Sequence, residues 1–374
     1  YHGSQCGFCT PGFVMSLFAM FKNYSKFNDD LIKNSISGNL CRCTGYQPII
    51  KAAKSLNNKN KVDQFTENEE NVIKLLKKIN NESIIIYKKD KKYFAPRYVE
   101  ELKKILKKNI NSYLLSGGTD LSLVVTKERK NIDSIIYMNS IDELNYIKNN
   151  NGYIEVGATT PLIKFENYIK KYYSDFNSIL KRYGSVQIRN TATIAGNIAT
   201  ASPIGDTLPL LLSLDAQVVL KSIKKTKVVP LNKFFIDYRK TKLKMGQFIN
   251  SIRIPFFPEN IFKAYKISKR FDDDISSVCA SFNLQLINKK IKSIKIAYGG
   301  MASIPKRAKY CEKILLNSSI TDQIINKAKE ALEQDFKPVS DMRASAKYRM
   351  LIAKNLLHKC FLEITHKKLI RLNK

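Results

Sequence analysis

The sequence has no stretch of about eighteen consecutive apolar residues, so it predicts no helix long enough to cross a membrane. A basic segment followed by an apolar one, which would indicate a secretion signal, is also missing at its start. The chain does not begin with Met, and its first cysteine is already residue 6. We therefore expect an N-terminally truncated fragment of a protein that is neither secreted nor bound to a membrane.

Acidic residues are few compared with basic ones, and the formal net charge is +32. Such a charge raises the question of nucleic-acid binding. However, the lysines are spread along the whole chain, and the sequence has no Arg-rich arm and no basic stripe interleaved with aromatic residues. Lys, Asn and Ile share A/T-rich codons, so coding bias is a sufficient explanation. We expect no nucleic-acid partner, although the charge can steer anionic partners or cofactors.

Internal repeats are absent too, and a chain of 374 residues is expected to form two or three ordinary domains. Hydrophobic residues make up 44% of it, which is enough for real cores and excludes a disordered chain. Cysteines are few, and Cys279, Cys311 and Cys360 are scattered singly through the second half. Free, scattered cysteines are typical of a reducing cytosol, so we expect a cytoplasmic protein.

The other four cysteines form two close pairs, Cys6-Gly7-Phe8-Cys9 and Cys41-Arg42-Cys43. Each short pair can present two sulfurs to one point, and the residues between the pairs can fold back to complete a four-sulfur site. Soft thiolate ligands select zinc, copper(I) or iron–sulfur clusters. The spacing alone favours zinc and leaves an iron–sulfur cluster open, whereas a disulfide framework is disfavoured in a chain of this size.

Four regions differ in their pattern of apolar residues. Residues 1–57 hold the cysteines and predict three helices, 58–82 are a polar linker that ends in a short helix, 83–258 alternate short strands with helices, and 259–374 have strand-like runs followed by helices. The last two regions therefore predict α+β domains. The predicted helices of the first two regions are Pro11–Lys22, Asp29–Ser37, Pro48–Leu56 and Val72–Ile79.

Two glycine-bearing segments stand out in the third region. Residues 114–121 leave a predicted strand with the paired Gly117 and Gly118, which can let the backbone approach a phosphate. Their spacing is not the dinucleotide fingerprint, so a Rossmann fold is not supported. Residues 187–206 are rich in small and hydroxyl side chains. This composition suits backbone and hydroxyl contacts to a diphosphate and a ribityl chain, in what we interpret as a loop.

Both cysteine strings, 3–12 and 38–46, resemble the all-helical [2Fe-2S] domain of the xanthine oxidase family of molybdenum hydroxylases. The two glycine-bearing segments resemble the FAD domain of the same family, whose fold is shared with vanillyl-alcohol oxidase and para-cresol methylhydroxylase. The C-terminal region is similar to the family's flavoprotein C-terminal domain. The resemblance therefore implies a multidomain protein with an all-α [2Fe-2S] domain, an α+β FAD-binding domain and an α+β C-terminal domain.

The resemblance also implies which residues hold each cofactor. The cluster ligands would be Cys6, Cys9, Cys41 and Cys43. The FAD-binding residues would be Leu114, Leu115, Ser116, Gly117, Gly118, Thr119, Asp120, Leu121, Tyr183, Thr193, Gly196, Asn197, Asp206, Ile249 and Lys266. Lys266 would lie near the flavin ring, where a cation stabilises the anionic reduced form. Ala195 departs from the family, which usually has a second glycine there.

The function implied is that of an electron-transfer subunit with no catalytic residues of its own. Electrons from a molybdopterin-binding large subunit would pass through the [2Fe-2S] cluster to FAD and then to NAD+. The implied activity is of the xanthine dehydrogenase type, from hypoxanthine and xanthine to urate, in a heterotetramer or larger assembly. The sequence has neither the cysteines of a second, ferredoxin-like cluster nor room for a molybdopterin domain. A subunit of a related aldehyde or aromatic hydroxylase stays open, and a zinc-containing nucleic-acid-binding protein is the distant alternative.

Overall fold

The computed structural model describes residues 1–58, 62–79 and 81–366. Residues 59–61 of the predicted linker and 367–374 of the predicted C-terminal domain lie outside the described residues. The chain divides into two compact units, the first formed by 1–82 together with 184–189, and the second by 83–183 and 190–374. In the described part of the chain, no helix has both the length and the apolarity that a membrane crossing requires.

The first unit is helical, as the sequence predicts. Its helices are α1 (Thr10–Asn23), α2 (Asp29–Ile36), α3 (Gln47–Ser55), α4 (Gln64–Glu67) and α5 (Glu69–Lys77). Prolines occupy the first turns of α1 and α3, where a missing N–H costs nothing. Helix α2 begins at a true cap, because the Asn28 side chain accepts a hydrogen bond from Leu31 N. The apolar faces of α1, α2 and α3 form one buried core around Phe13, Ile32 and Ala53.

The region predicted as a linker is attached to α1. Lys22 Nζ lies 2.6 Å from Asp63 Oδ1, and the rings of Phe18 and Phe65 are 5.3 Å apart. The predicted helix Val72–Ile79 begins three residues earlier, as α5 (Glu69–Lys77). Two glutamates occupy its first turn, where negative charge interacts favourably with the helix dipole. These glutamates favour a start of α5 at Glu69 rather than at the predicted Val72.

A second difference from the predicted domain limits concerns residues 184–189, which belong to the first unit. Gln187 Nε2 donates to Ser16 Oγ at 3.1 Å and to Ser35 O at 3.3 Å. The guanidinium of Arg189 is buried, and its Nη2 donates to Asn34 Oδ1 at 2.8 Å. Through these hydrogen bonds, residues 184–189 pack with the helices of the first unit, although they lie within the predicted FAD-binding region 83–258.

The second unit begins with a small mixed sheet. Its strands are β1 (Ile84–Lys88), β2 (Lys91–Ala95), β3 (Tyr113–Leu115) and β4 (Ser134–Tyr137), and its helices are α6 (Val99–Lys108) and α7 (Leu121–Thr126). The strand order is β1-β2-β4-β3, with β2 and β3 both parallel to β4. The buried face of α6 packs on this sheet. Parallel strands direct their carboxyl ends to one edge, which is where ligands bind in such sheets.

A five-stranded antiparallel sheet follows, in the order β5-β6-β11-β7-β8. Its strands are β5 (Ile147–Asn150), β6 (Tyr153–Gly157), β7 (Gln217–Lys221), β8 (Thr226–Pro230) and β11 (Phe248–Pro255), and a hairpin of β9 (Phe235–Asp237) and β10 (Lys240–Thr241) precedes β11. Helix α10 (Val186–Thr191) begins within residues 184–189 of the first unit and ends in the second. The helices that accompany the sheet are α8 (Leu162–Ile169), α9 (Ser174–Lys181), α11 (Ile194–Thr200) and α12 (Thr207–Ser213). Strands and helices share the largest core of the chain.

The interpretation of residues 187–206 as a loop is wrong, because this segment contains α11 and most of α10. Thr193 caps α11 through a hydrogen bond that its Oγ1 accepts from Gly196 N at 3.0 Å. Ile194 and Ile198 of α11 are buried in the core. A composition rich in small residues therefore does not make this segment irregular.

The C-terminal part of the second unit is an antiparallel sheet covered by helices. Its strands run in the order β12-β13-β14-β15 and span β12 (Ile261–Ile267), β13 (Val278–Ile287), β14 (Lys290–Gly299) and β15 (Lys306–Arg307). The helices are α13 (Lys309–Leu315), α14 (Asp322–Asp335) and α15 (Ala346–His366). Sheet and helices enclose a separate core. The multidomain fold, α-helical and then α+β, is the one that the sequence predicts.

Candidate functional site

The four paired cysteines come together as two thiol pairs, each of which joins the two cysteine strings. Cys43 Sγ donates to Cys6 Sγ at 3.5 Å. Burial and the neighbouring Cys41 thiol raise the pKa of Cys9, which pairs these two thiols. Cys6 and Cys43 are exposed, whereas Cys41 is buried beside the helical core. The pairing therefore crosses between the sequence motifs, with one residue from each motif in each pair.

This arrangement suits a centre with two metal atoms. Within the described ranges, no group of three or more His, Cys, Asp or Glu side chains gathers closely enough to surround one metal ion. Two thiol pairs match a [2Fe-2S] cluster, in which each iron takes two cysteine sulfurs. The donor set thus fits that cluster.

Hydrogen bonds prepare two of the thiols to lose their protons. The hydroxyl and the backbone N–H of Thr44 lie 3.2 and 3.4 Å from Cys41 Sγ and lower the pKa of that thiol to about 7. The backbone N–H of Phe8 is the main cause that lowers the pKa of Cys6. Because thiolates are the metal ligands, both shifts favour binding at neutral pH.

The glycine-bearing segment 114–121 lies where the parallel sheet leads us to expect a ligand. Strand β3 ends at Leu115, and Gly117 then passes so close to α10 that a Cβ on it would lie 2.3 Å from Thr191 O and 2.7 Å from Ala192 Cα. Gly118 follows with φ +73°, a conformation that favours glycine. The two segments that the sequence indicates for flavin binding are therefore in direct contact at Gly117.

A cavity of about 310 Å³ opens beside this contact. Four of the predicted FAD-binding residues line it, namely Leu114, Ser116, Gly196 and Ile249. Ala195, at the position where the family usually has glycine, also contributes to the wall. The volume lies at the lower end of the range for ligand pockets, and its lining is mainly apolar. Such a cavity fits a planar aromatic part of a dinucleotide, with the glycine turn beside it.

Three other predicted FAD-binding residues, Tyr183, Thr193 and Asn197, make hydrogen bonds in or beside α11 and do not line the cavity. Asn197 Nδ2 donates to Tyr183 Oη at 3.0 Å, and Asn197 Oδ1 accepts from Thr207 Oγ1 at 2.5 Å. Burial raises the pKa of Tyr183, so its hydroxyl keeps its proton. Thr193 is the cap of α11. The structure places Leu115 in β3, Gly117 to Asp120 in the turn after it, and Leu121 at the start of α7.

Lys266 and Asp206 form a buried ion pair. Lys266 Nζ lies 2.6 Å from Asp206 Oδ2, and the two side chains are 2% and 4% exposed. Lys266 Nζ also donates to Arg182 O at 3.2 Å, and Asp206 Oδ1 accepts from Ser276 Oγ at 2.5 Å. Lys266, which the resemblance places near the flavin ring, is thus neutralised by Asp206, which the resemblance also assigns to FAD binding.

We expect Lys266→Met to destabilise the second unit by about 3–5 kcal/mol, because the change leaves the Asp206 carboxylate buried without its counter-ion. Urea denaturation of the flavin-free chain measures the loss. Lys269→Met is the matched control, since Lys269 is exposed and should change stability by less than about 0.5 kcal/mol. The double variant Lys266→Met/Asp206→Asn should recover part of the loss, and a double variant less stable than Lys266→Met would rule out this cause.

Sequence reasoning missed one whole side of the cavity. The segment 243–247, between β10 and β11, lines it together with Met138 and Ala199. Residues Lys242 to Gln247 have neither the paired glycines nor the hydroxyl-rich composition of the other two segments. The available signal was only their position just before Ile249, which the sequence did identify.

The sequence matches three family models in order along the chain. They are described as a [2Fe-2S] binding domain over residues 1–54, a FAD binding domain in molybdopterin dehydrogenase over 87–257, and a CO dehydrogenase flavoprotein C-terminal domain over 263–364. The chain is an iron–sulfur and flavin region of the xanthine oxidase family. Within this family, both the [2Fe-2S] cluster and FAD are the cofactors of the matched domains, and the residues described above fit them.

Curated relatives of this family are much longer than the chain. A xanthine dehydrogenase of Emericella nidulans is 31% identical over 90% of the chain but only 29% of its own length. One from Dictyostelium discoideum is 29% identical over 97% of the chain and 32% of its own length. The chain thus spans about a third of the curated relatives that it matches.

Solved structures show the same fold. The carbon monoxide dehydrogenase of Hydrogenophaga pseudoflava matches 71% of this chain and 93% of its own, with a TM-score of 0.68 and 24% identity. Quinoline 2-oxidoreductase from Pseudomonas putida 86 matches 74% of this chain and 98% of its own, with a TM-score of 0.68 and 20% identity. About seven tenths of the chain therefore shares the fold of these two proteins, and the predicted multidomain α+β architecture is confirmed.

Proposed function

We propose that this chain is the electron-transfer part of a molybdenum hydroxylase of the xanthine dehydrogenase type. When bound, the [2Fe-2S] cluster supplies one-electron transfer and FAD exchanges either one or two electrons. The observation that carries the proposal is that one chain combines two thiol pairs with a flavin-type cavity. A protein with both sites can connect a one-electron donor to NAD+, which accepts two electrons.

The residues of the chain contribute binding and orientation. Cys6, Cys9, Cys41 and Cys43 hold the cluster in this proposal, and the backbone around Gly117 and Gly118 holds the diphosphate of FAD. Ile249 and Leu114 form an apolar wall for an aromatic ring. Lys266 keeps a positive charge in the buried interior through its contact with Asp206. In this proposal these side chains bind and orient the two cofactors, and the oxidation of the purine is assigned to a partner.

The partner in this proposal is a subunit that binds the molybdopterin cofactor. Two large apolar residues beside the thiols are strongly exposed, Phe8 at 94% and Leu40 at 82%. Apolar side chains at this exposure, next to a cofactor site, are typical of a surface that another protein covers. We propose that this partner oxidises hypoxanthine and xanthine to urate; the relatives from Emericella nidulans and Dictyostelium discoideum are named xanthine dehydrogenases. The proposed complex is a cytoplasmic heterotetramer or larger assembly.

We expect NADH to reduce first the flavin and then the cluster of the purified chain, as followed by visible absorption and electron paramagnetic resonance. Xanthine should cause no change until the molybdopterin subunit is added, because the proposal assigns purine oxidation to that subunit. Dithionite, which reduces both cofactors chemically, serves as the control for cofactor content. Reduction of the isolated chain by xanthine, or failure of NADH to reduce the FAD, would contradict the proposed function.

A further inference from the structure

The four thiols of the cluster site differ in the hydrogen bonds that they receive. Cys6 and Cys43 are exposed to solvent, whereas Cys41 is buried, lies within hydrogen-bond distance of the Thr44 hydroxyl at 3.2 Å, and accepts from Thr44 N at 3.4 Å. Of these two contacts, only the one with the hydroxyl can be removed by a side-chain substitution, because the N–H belongs to the backbone. Among the four ligands, Cys41 is therefore the one whose sulfur a single side chain can influence most.

The surrounding contacts orient the Thr44 hydroxyl. Tyr46 N donates to Thr44 Oγ1 at 3.2 Å, which occupies a lone pair of that oxygen and leaves its hydrogen for the sulfur. Cys41 N in turn donates to Tyr46 Oη at 3.0 Å. Tyr46 has a left-handed backbone at φ +70°. The centroid of its ring lies 6.3 Å from that of the buried Phe13, edge to face. The loop is thus fixed so that Thr44 points at Cys41.

When Cys41 is a thiolate, the sulfur can only accept, so the Thr44 hydroxyl must be the donor. Addition of one electron to a [2Fe-2S] cluster makes the cluster and its four sulfurs more negative by one charge, with no bond made or broken. A hydrogen bond donated to sulfur stabilises the more negative state more strongly than the oxidised one. Hydrogen bonds to the sulfurs are among the factors that set cluster potentials.

We propose that Thr44 is a positioning residue that raises the reduction potential of the cluster through the hydrogen bond from its hydroxyl to Cys41 Sγ. The proposal rests on the cluster assignment but not on the substrate or partner of the proposed function. It predicts that Thr44 affects the ease of reduction while leaving the amount of bound cluster unchanged. Neither Cys6 nor Cys43 has a described side-chain hydroxyl contact that could replace it.

The test is a redox titration of the full chain in which electron paramagnetic resonance follows the reduced cluster and iron analysis gives its content. Thr44→Val keeps the size and the backbone N–H but removes the hydroxyl. We expect the equilibrium constant for reduction to fall about tenfold, a shift of about 59 mV to lower potential for one electron. Thr44→Ser, which restores the hydroxyl, should return the potential to that of the wild type.

Thr10→Val is the matched control, because Thr10 lies in the other cysteine string and its Oγ1 bonds Ser4 Oγ at 2.7 Å rather than a sulfur. It should leave the potential unchanged. If Thr44→Val assembles too little cluster, Thr44→Ala is titrated instead. An unchanged potential at full iron content overturns the proposal, and so does loss of the cluster in both variants, which would make Thr44 an assembly residue. Absence of a cluster from the wild type would instead contradict the cluster assignment.

Discussion

Cys41→Ala should purify without its iron–sulfur absorption and without the electron paramagnetic signal of a reduced [2Fe-2S] cluster. Cys41 is the buried member of one thiol pair, and no other described cysteine lies in the first unit besides the four ligands. Its removal leaves one iron with a single protein sulfur. Because iron–sulfur clusters are held by cysteine thiolates, we expect iron content to fall to near zero.

Flavin content should stay normal in Cys41→Ala, because the cavity is lined only by residues of the second unit. Cys360→Ala is the matched control, since Cys360 is also buried but belongs to the core around α15. It should retain both cofactors. A cluster with unchanged spectrum in Cys41→Ala would show that the ligand assignment is wrong.

Gly117→Ala should strongly reduce FAD content while iron stays bound. The new methyl group would lie 2.3 Å from Thr191 O, a distance that only a shift of the backbone can relieve. Overpacking of this kind costs about 1–3 kcal/mol, and here it separates the two segments that surround the cavity. We expect the affinity for FAD to fall about tenfold or more, measured by fluorescence titration of the flavin-free chain.

Gly152→Ala controls for the general effect of replacing glycine in the second unit. Gly152 has φ +88° in a hairpin turn, and a Cβ there would meet no atom within 4 Å. It should cost about 1 kcal/mol of stability without changing the affinity for FAD. Gly118→Ala should be intermediate, since its φ is positive but its nearest contact is the Leu115 side chain at 3.3 Å. If Gly117→Ala bound FAD with full affinity, the segment 114–121 would be a turn without a role in FAD binding.

The sequence predicted those parts of the structure that depend on neighbouring residues. Helices α1 to α3 and strand β3 lie where the apolar periodicity and prolines place them. The two cysteine motifs indicated the cluster, and the two glycine-bearing segments indicated the FAD domain, before any fold was known. The individual ligand roles stay predictions until the variants above are measured.

Other features depend on contacts between residues far apart in sequence. Lys266 and Asp206 are separated by sixty positions, and nothing near either residue indicates that they neutralise each other. The crossed pairing of the thiols, Cys6 with Cys43 and Cys9 with Cys41, likewise depends on the fold of the first unit, in which α1, α2 and α3 share one core. In residues 187–206, burial of Ile194 and Ile198 outweighed a composition typical of loops.

The return of residues 184–189 to the first unit limits how this protein can be divided. A cut after residue 82 would leave Asn34 without Arg189, and Ser16 and Ser35 without Gln187. The cysteine-bearing unit can therefore not be separated from the rest of the chain by a single truncation after residue 82. Any split or fusion must keep these six residues with the helices, or supply them from a second polypeptide, for the cysteine-bearing fold to be complete.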